Sequence, residues 1–156
     1  MTVKSSSSLP KSVFLDTNIY ILGALDLDSD ESKILSLLVS DENSDEQTRV
    51  IFSQELIDQI LRVGKRLQNK DWSSGLLTRL WQQLRVDFIF VEDQDIQEIA
   101  DAGIIPREDA GVYLTAKQGK AKCFVSRNYK LIRALVEQTE EFECFTPSEF
   151  LQKYAP

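Results

Sequence analysis

The strongest constraint on the fold is an alternation. Short runs rich in β-forming residues, "SVFLD" (12–16), "RVIFS" (49–53), "VDFIFV" (86–91) and "KCFVS" (122–126), are separated by stretches whose apolar residues recur at helical spacing. Strands joined through helices cannot pair as hairpins, and the short solution is a parallel sheet covered by helices. The sequence therefore predicts an α/β fold: a three-layer α/β/α sandwich around a central parallel sheet of four to five strands. "FECF" (142–145) supplies the fifth.

The intervening segments carry helix signals of their own. "ESKILSLLVS" (31–40) spaces Ile34, Leu35, Leu37 and Leu38 along one face, after an acidic loop "ALDLDSD" (24–30) in which Ser29 or Asp30 caps the helix. "DENSDE" (41–46) reads as a turn. Ser53 is the cap of "QELIDQILRVGKRLQ" (54–68), and "WSSGLLTRLWQQL" (72–84) follows as a further helix, with Trp72 and Trp81 as core or dimer contacts. "DIQEIADAG" (95–103) ends on Gly103, and "PREDAGVYLTAKQG" (106–119) places Pro106 in a first turn. "YKLIRALVEQ" (129–138) is helical. Thr146 caps the last helix, with Pro147 at its first position.

A chain of 156 residues is one domain's worth, assigned to 12–156, with "MTVKSSSSLPK" (1–11) as a flexible tail. That tail has a lysine but no apolar run behind it, so it is not a signal peptide, and no stretch is apolar enough to span a membrane. Cys123 and Cys144 sit in apolar surroundings at no metal-binding spacing, as buried thiols of a reducing cytoplasm do. Histidine is absent altogether, which excludes Ser-His-Asp and Cys-His nucleophiles and His-ligated zinc. No glycine-rich phosphate loop is present either. Any catalysis must use carboxylates, hydroxyls, amides and hard metal ions. A net charge of −7 argues against indiscriminate binding of nucleic acid.

In such sheets the functional crevice lies at the carboxyl ends of the strands. Asp16 stands at one of those ends, as do Ser53 with the turn after it and the stretch from Ser126 to Asn128. Asp109, in the first turn of its helix, projects toward the same region. Taken singly, Asp16 reads equally as a loop start or a ligand, and Asp109 equally as helix-start chemistry or a ligand. Together they suggest a site for Mg2+ or Mn2+, which carboxylate oxygens hold while several waters are retained. A pair of ions needs three or four converging acids.

"VFLDTNIYIL", then "EDAGVYLTAKQGKAKCFVSRNYKL", then "FTPSEFL" resemble the PIN domain, a parallel α/β nuclease family that uses acidic residues and divalent metal, most often on RNA. The resemblance runs over nearly the whole chain. It implies that Asp16 and Asp109 bind the metal, that Thr17 and Asn18 hydrogen-bond near it, and that Ser126 is the hydroxyl ending the fourth strand. Two positions depart from the family. The acid expected two residues after that hydroxyl is Asn128, and the glutamate expected six residues after Ser53 is Gln59. Glu55, one turn before Gln59 on the same side, is the preferred substitute, and Asp58 is the other. With acids missing, one weakly bound ion fits better than a stable pair.

From Lys117 to Arg133 the chain carries Lys117, Lys120, Lys122, Arg127, Lys130 and Arg133 with no acid between them. Arg127 and Lys130 are placed to meet phosphates, and Tyr129 to stack on an unpaired base. A second basic cluster, Arg62, Lys65, Arg66 and Lys70, sits late on its helix and is read as helix-end chemistry. The expected activity is a metal-dependent endoribonuclease acting on single-stranded RNA, with Ser126 and Asn128 orienting water. Two alternatives stay open: a domain that binds RNA or protein without catalysis, and the toxin of a toxin–antitoxin pair with an antitoxin partner. A homodimer is compatible with each.

Overall fold

The computed structural model describes residues 9–39, 47–103, 105–138 and 140–155. Most of the N-terminal tail and the "DENSDE" turn lie outside them. The chain order is β1 (Ser12–Leu15), α1 (Thr17–Leu25), α2 (Asp30–Val39), β2 (Arg49–Phe52), α3 (Gln54–Leu67), α4 (Lys70–Gln83) and β3 (Arg85–Phe88). It continues with α5 (Asp93–Ala102), α6 (Arg107–Gln118), β4 (Cys123–Val125), α7 (Tyr129–Gln138), β5 (Glu143–Phe145) and α8 (Pro147–Tyr154).

All five strands are parallel, in the order β3-β2-β1-β4-β5. The strongest apolar runs take the centre: Val13, Phe14 and Leu15 of β1 and Cys123, Phe124 and Val125 of β4 have no exposed surface. Helices cover them, with α1 against α2 and α3, α2 against α8, α3 against α4, and α5 against α6. Burying those six side chains on both faces is what makes the centre of the sheet the core. The α/β sandwich expected with four to five strands has five.

The strand order reverses between β1 and β4. From β1 the chain builds outward to β2 and β3, then returns to lay β4 and β5 on the other side. The carboxyl ends of β1 and β4 flank that switch point, where open parallel sheets form their crevice.

Three local readings need correction. Helix α1 begins immediately after Asp16, where no helix was expected. Its Ile19, Tyr20 and Ile21 are all buried, so its apolar residues surround the axis and leave no amphipathic period to detect. Pro106 precedes α6 instead of opening it. Residues 9–11 belong to the fold: Thr48 Oγ1 donates to the Pro10 carbonyl at 2.7 Å and the Arg49 amide to the Lys11 carbonyl at 2.9 Å.

Candidate active site

Asp16 leaves β1 in extended conformation and caps α1. Its Oδ1 accepts the Thr17 amide at 2.8 Å and its Oδ2 accepts the Ser126 hydroxyl at 2.7 Å, across the switch point. Burial raises its pKa above the usual aspartate value, and the donors from Ser126 and Thr17 work the other way. Asp16 is thus no free loop residue. The fold encloses a carboxylate and fixes both its oxygens.

Asp109, in the first turn of α6, shares that environment. Its pKa is pushed up to about 6, first by burial, then by the charge of Asp16 and that of neighbouring Glu108. Two residues distant in sequence are brought close enough to repel. Tyr20 belongs to the same neighbourhood: it is fully buried, burial and then the charge of Asp16 raise its pKa well above 10, and its hydroxyl has no hydrogen-bond partner among the described residues.

Helix α3 contributes two side chains on this side. Gln59 Oε1 accepts the buried Thr17 hydroxyl at 2.6 Å, joining α3 to the first turn of α1. Glu55 lies one turn earlier. Its Oε1 is enclosed without a hydrogen-bond partner among the described residues, and its stem packs on Gly111 of α6, where an added Cβ would come within 2.9 Å of Glu55 Cγ. Asp58 is not brought into the crevice: it is exposed and accepts from Gln54 Nε2 at 2.9 Å on the α4 side of α3.

The turn after β4 is organised by Ser126. Its fully buried hydroxyl donates to Asp16 and accepts the Asn128 amide at 2.9 Å. Asn128 Oδ1 in turn accepts the Leu131 amide at 3.1 Å and so caps α7. The oxygens of both Gln59 and Asn128 are therefore already engaged within the protein. Arg127 points elsewhere: its Nε lies 3.1 Å from Oε2 of Glu31, a buried acid in the first turn of α2. Tyr129, 64% exposed, and the exposed Lys130 and Asn18 stand at the rim without polar partners among the described residues.

The basic run from Lys117 does not form one patch. Lys117, Lys120 and Lys122 precede β4 at the amino edge of the sheet, whereas Arg127 and Lys130 follow it at the carboxyl edge. Sequence reasoning missed Tyr20 and the Thr17–Gln59 bond as parts of the site, and Glu31 as the partner of Arg127 outside it. The places of Thr17 after Asp16 and of Gln59 after Ser53 marked the two ends of that bond but not their pairing.

Among the described residues no three acids converge on one point. Asp16 and Asp109 lie close enough for the charge of the first to raise the pKa of the second, and the buried Glu55 oxygen does not complete a three-acid cluster with them among the described residues. No described helix is long and apolar enough to cross a membrane.

No family model matches the sequence, and no curated protein matches it. Solved structures do. A chain of VapBC2 from Rickettsia felis, crystallised with a DNA fragment from their promoter, aligns with a TM-score of 0.59 at 15% identity, over 86% of this chain and 98% of that one. A chain of VapBC-1 from nontypeable Haemophilus influenzae aligns at TM-score 0.60 and 17% identity, over 88% and 98%. The likeness is one of fold: this chain has the PIN-like α/β architecture.

Proposed function

We propose that this chain is a divalent-metal-dependent nuclease that cuts single-stranded RNA, with Asp16 and Asp109 holding the ion. The observation that carries the reading is the nearness of these two carboxylates at the switch point of a PIN-like sheet, close enough for the charge of Asp16 to raise the pKa of Asp109. Repulsion that raises a pair of acids is what a bound cation relieves.

The donor set suits one hard ion, Mg2+ or Mn2+, that keeps most of its waters. It does not suit two, because the amides Gln59 and Asn128 bring no charge and no third acid among the described residues joins the pair. A bound ion supplies Lewis acidity toward a phosphoryl oxygen and a lowered pKa for coordinated water. The protein's own part is positional. Thr17 and Ser126 hold Asp16 in one orientation, so little ordering remains to be done when it binds. The rim groups Asn18 and Lys130 offer donors to phosphate oxygens, and Tyr129 offers a face to an unpaired base. Ser126, with its hydroxyl committed to Asp16, acts as a positioning residue and not as a water ligand.

Two solved chains of similar fold come from VapBC assemblies. That supports a toxin–antitoxin setting with a small protein partner. RNA as substrate and two thiols that burial raises to about 11, Cys123 and Cys144, fit a cytoplasmic protein. A second reading, binding without cleavage, draws on the two amides Gln59 and Asn128.

Purified protein is incubated with single-stranded RNA and Mn2+, beside Asp16→Asn and Asp109→Asn. Cleavage by the wild type that both variants lose by a hundredfold or more supports the nuclease. Equal cleavage by all three means a contaminating activity and removes it. RNA binding with no cleavage by any of them selects the second reading.

A further inference from the structure

The cations late in α3 invite explanation by the helix dipole, but the structure splits them. Gln68 ends α3 and Asn69 caps α4, so Lys70 opens a new helix. A cation at that end opposes the dipole. Lys70, Arg62 and Lys65 line one hollow of about 410 Å3 between α3 and α4, with Ser74 and Asp58. None of the three cations has an ion pair or a side-chain hydrogen bond among the described residues. The carboxylate in the hollow, Asp58, is engaged by Gln54. Three cations against the single carboxylate of Asp58 leave this hollow net positive in a chain of net charge −7, a place where an anion lowers the energy.

Helix α3 indicates which anion. Its first turns carry Glu55 and Gln59 into the candidate active site, and Arg62 and Lys65 follow three and six residues after Gln59. At 1.5 Å per residue they stand about 5–9 Å farther along the helix. We propose that the hollow is an exosite for the phosphate backbone of the RNA strand where it leaves the active crevice. This rests on RNA being the substrate class proposed above, and it assigns the path of the strand.

The test measures binding of a fluorescent twelve-nucleotide oligouridylate in EDTA, by anisotropy at several salt concentrations. The proteins compared are the wild type, Arg62→Gln/Lys65→Gln/Lys70→Gln, and a charge-matched control, Lys33→Gln/Lys120→Gln/Lys122→Gln, altering exposed cations elsewhere. All six side chains are exposed, and equal melting temperatures verify folding. The exosite variant is expected to bind at least tenfold more weakly, with the slope of log K against log salt reduced by about 2, as loss of three phosphate contacts on a single strand requires. The control is expected to stay within about twofold of the wild type. Equal affinity for wild type and exosite variant overturns the proposal, as does equal weakening of both variants or no binding by the wild type. So does selective loss of binding to an acidic peptide with oligouridylate unaffected, which would make the occupant a protein. Failure of the nuclease reading alone looks different: no Mn2+-dependent cleavage by the wild type, while the exosite variant still loses oligouridylate.

Discussion

Ser126 Oγ lies 2.7 Å from Asp16 Oδ2 and donates to it, tying the carboxyl end of β4 to that of β1. The same oxygen receives the Asn128 amide, so one buried hydroxyl satisfies two groups. Ser126→Ala leaves both without that partner. The expected cost is about 1–3 kcal/mol of stability, measured by urea unfolding. The carboxyl of Asp16 also loses a donor that lowers its pKa, so carbon-detected NMR should find it titrating at higher pH than in the wild type.

Asp109 makes a prediction of opposite sign. Its folded-state pKa of about 6 lies above the ordinary 3.8. Below the ordinary value this group adds its full relative stabilisation, because the folded protein keeps the proton readily. That contribution is lost as pH rises through 6. At pH 7 the ionised Asp109 is therefore a burden, and Asp109→Asn should be more stable than the wild type. After discounting for solvent screening, the gain is about 1 kcal/mol, or about 2–4 °C in Tm. Calorimetry across pH should show the gain shrinking toward zero as the wild-type carboxyl becomes protonated.

Gln59 receives the Thr17 hydroxyl through its oxygen, and a glutamate there accepts the same bond. Gln59→Glu therefore keeps the α1–α3 link and adds a charge beside Asp16. Mn2+ affinity should rise by about tenfold, since affinity in such sites follows the number of charged ligands. Isothermal titration of the variant against the wild type checks this. Asn128→Asp preserves the α7 cap in the same way, and its effect on Mn2+ should have the same sign.

Arg127 and Lys130 are neighbours in sequence with different duties. Arg127 is paired to the buried Glu31, whereas Lys130 has no partner among the described residues. Arg127→Ala should cost about 1–3 kcal/mol, by stranding a buried carboxylate. Lys130→Ala should leave thermal stability within about 0.5 kcal/mol, as exposed substitutions do, and weaken RNA binding.

Much of this was legible in the chain. Helix α7 was read at its observed limits, 129–138. Thr146 forms the expected cap and completes a capping box with Glu149. Gly103 ends α5 in the left-handed conformation that glycine favours. These signals are local, carried within a turn or two of backbone. Helix α1 escaped because apolar residues such as Ile19, Tyr20 and Ile21 are enclosed around most of its circumference, which leaves too little polar face to set a period. The Thr17–Gln59 and Arg127–Glu31 pairs escaped because each joins residues distant in sequence, and only the packed sheet decides which side chains meet. Asp58 shows the same limit in reverse: beside Gln59 in sequence, it projects about 100° away around α3 and meets Gln54 instead of the crevice.

The central claim is that Asp16 and Asp109 together hold a divalent ion. Electron paramagnetic resonance of free Mn2+, titrated against the protein at pH 7.5, tests it without requiring activity. One bound ion per chain is expected in the wild type, with affinity reduced at least tenfold in both Asp16→Asn and Asp109→Asn. Undiminished Mn2+ binding in either variant, or none in the wild type, would contradict it.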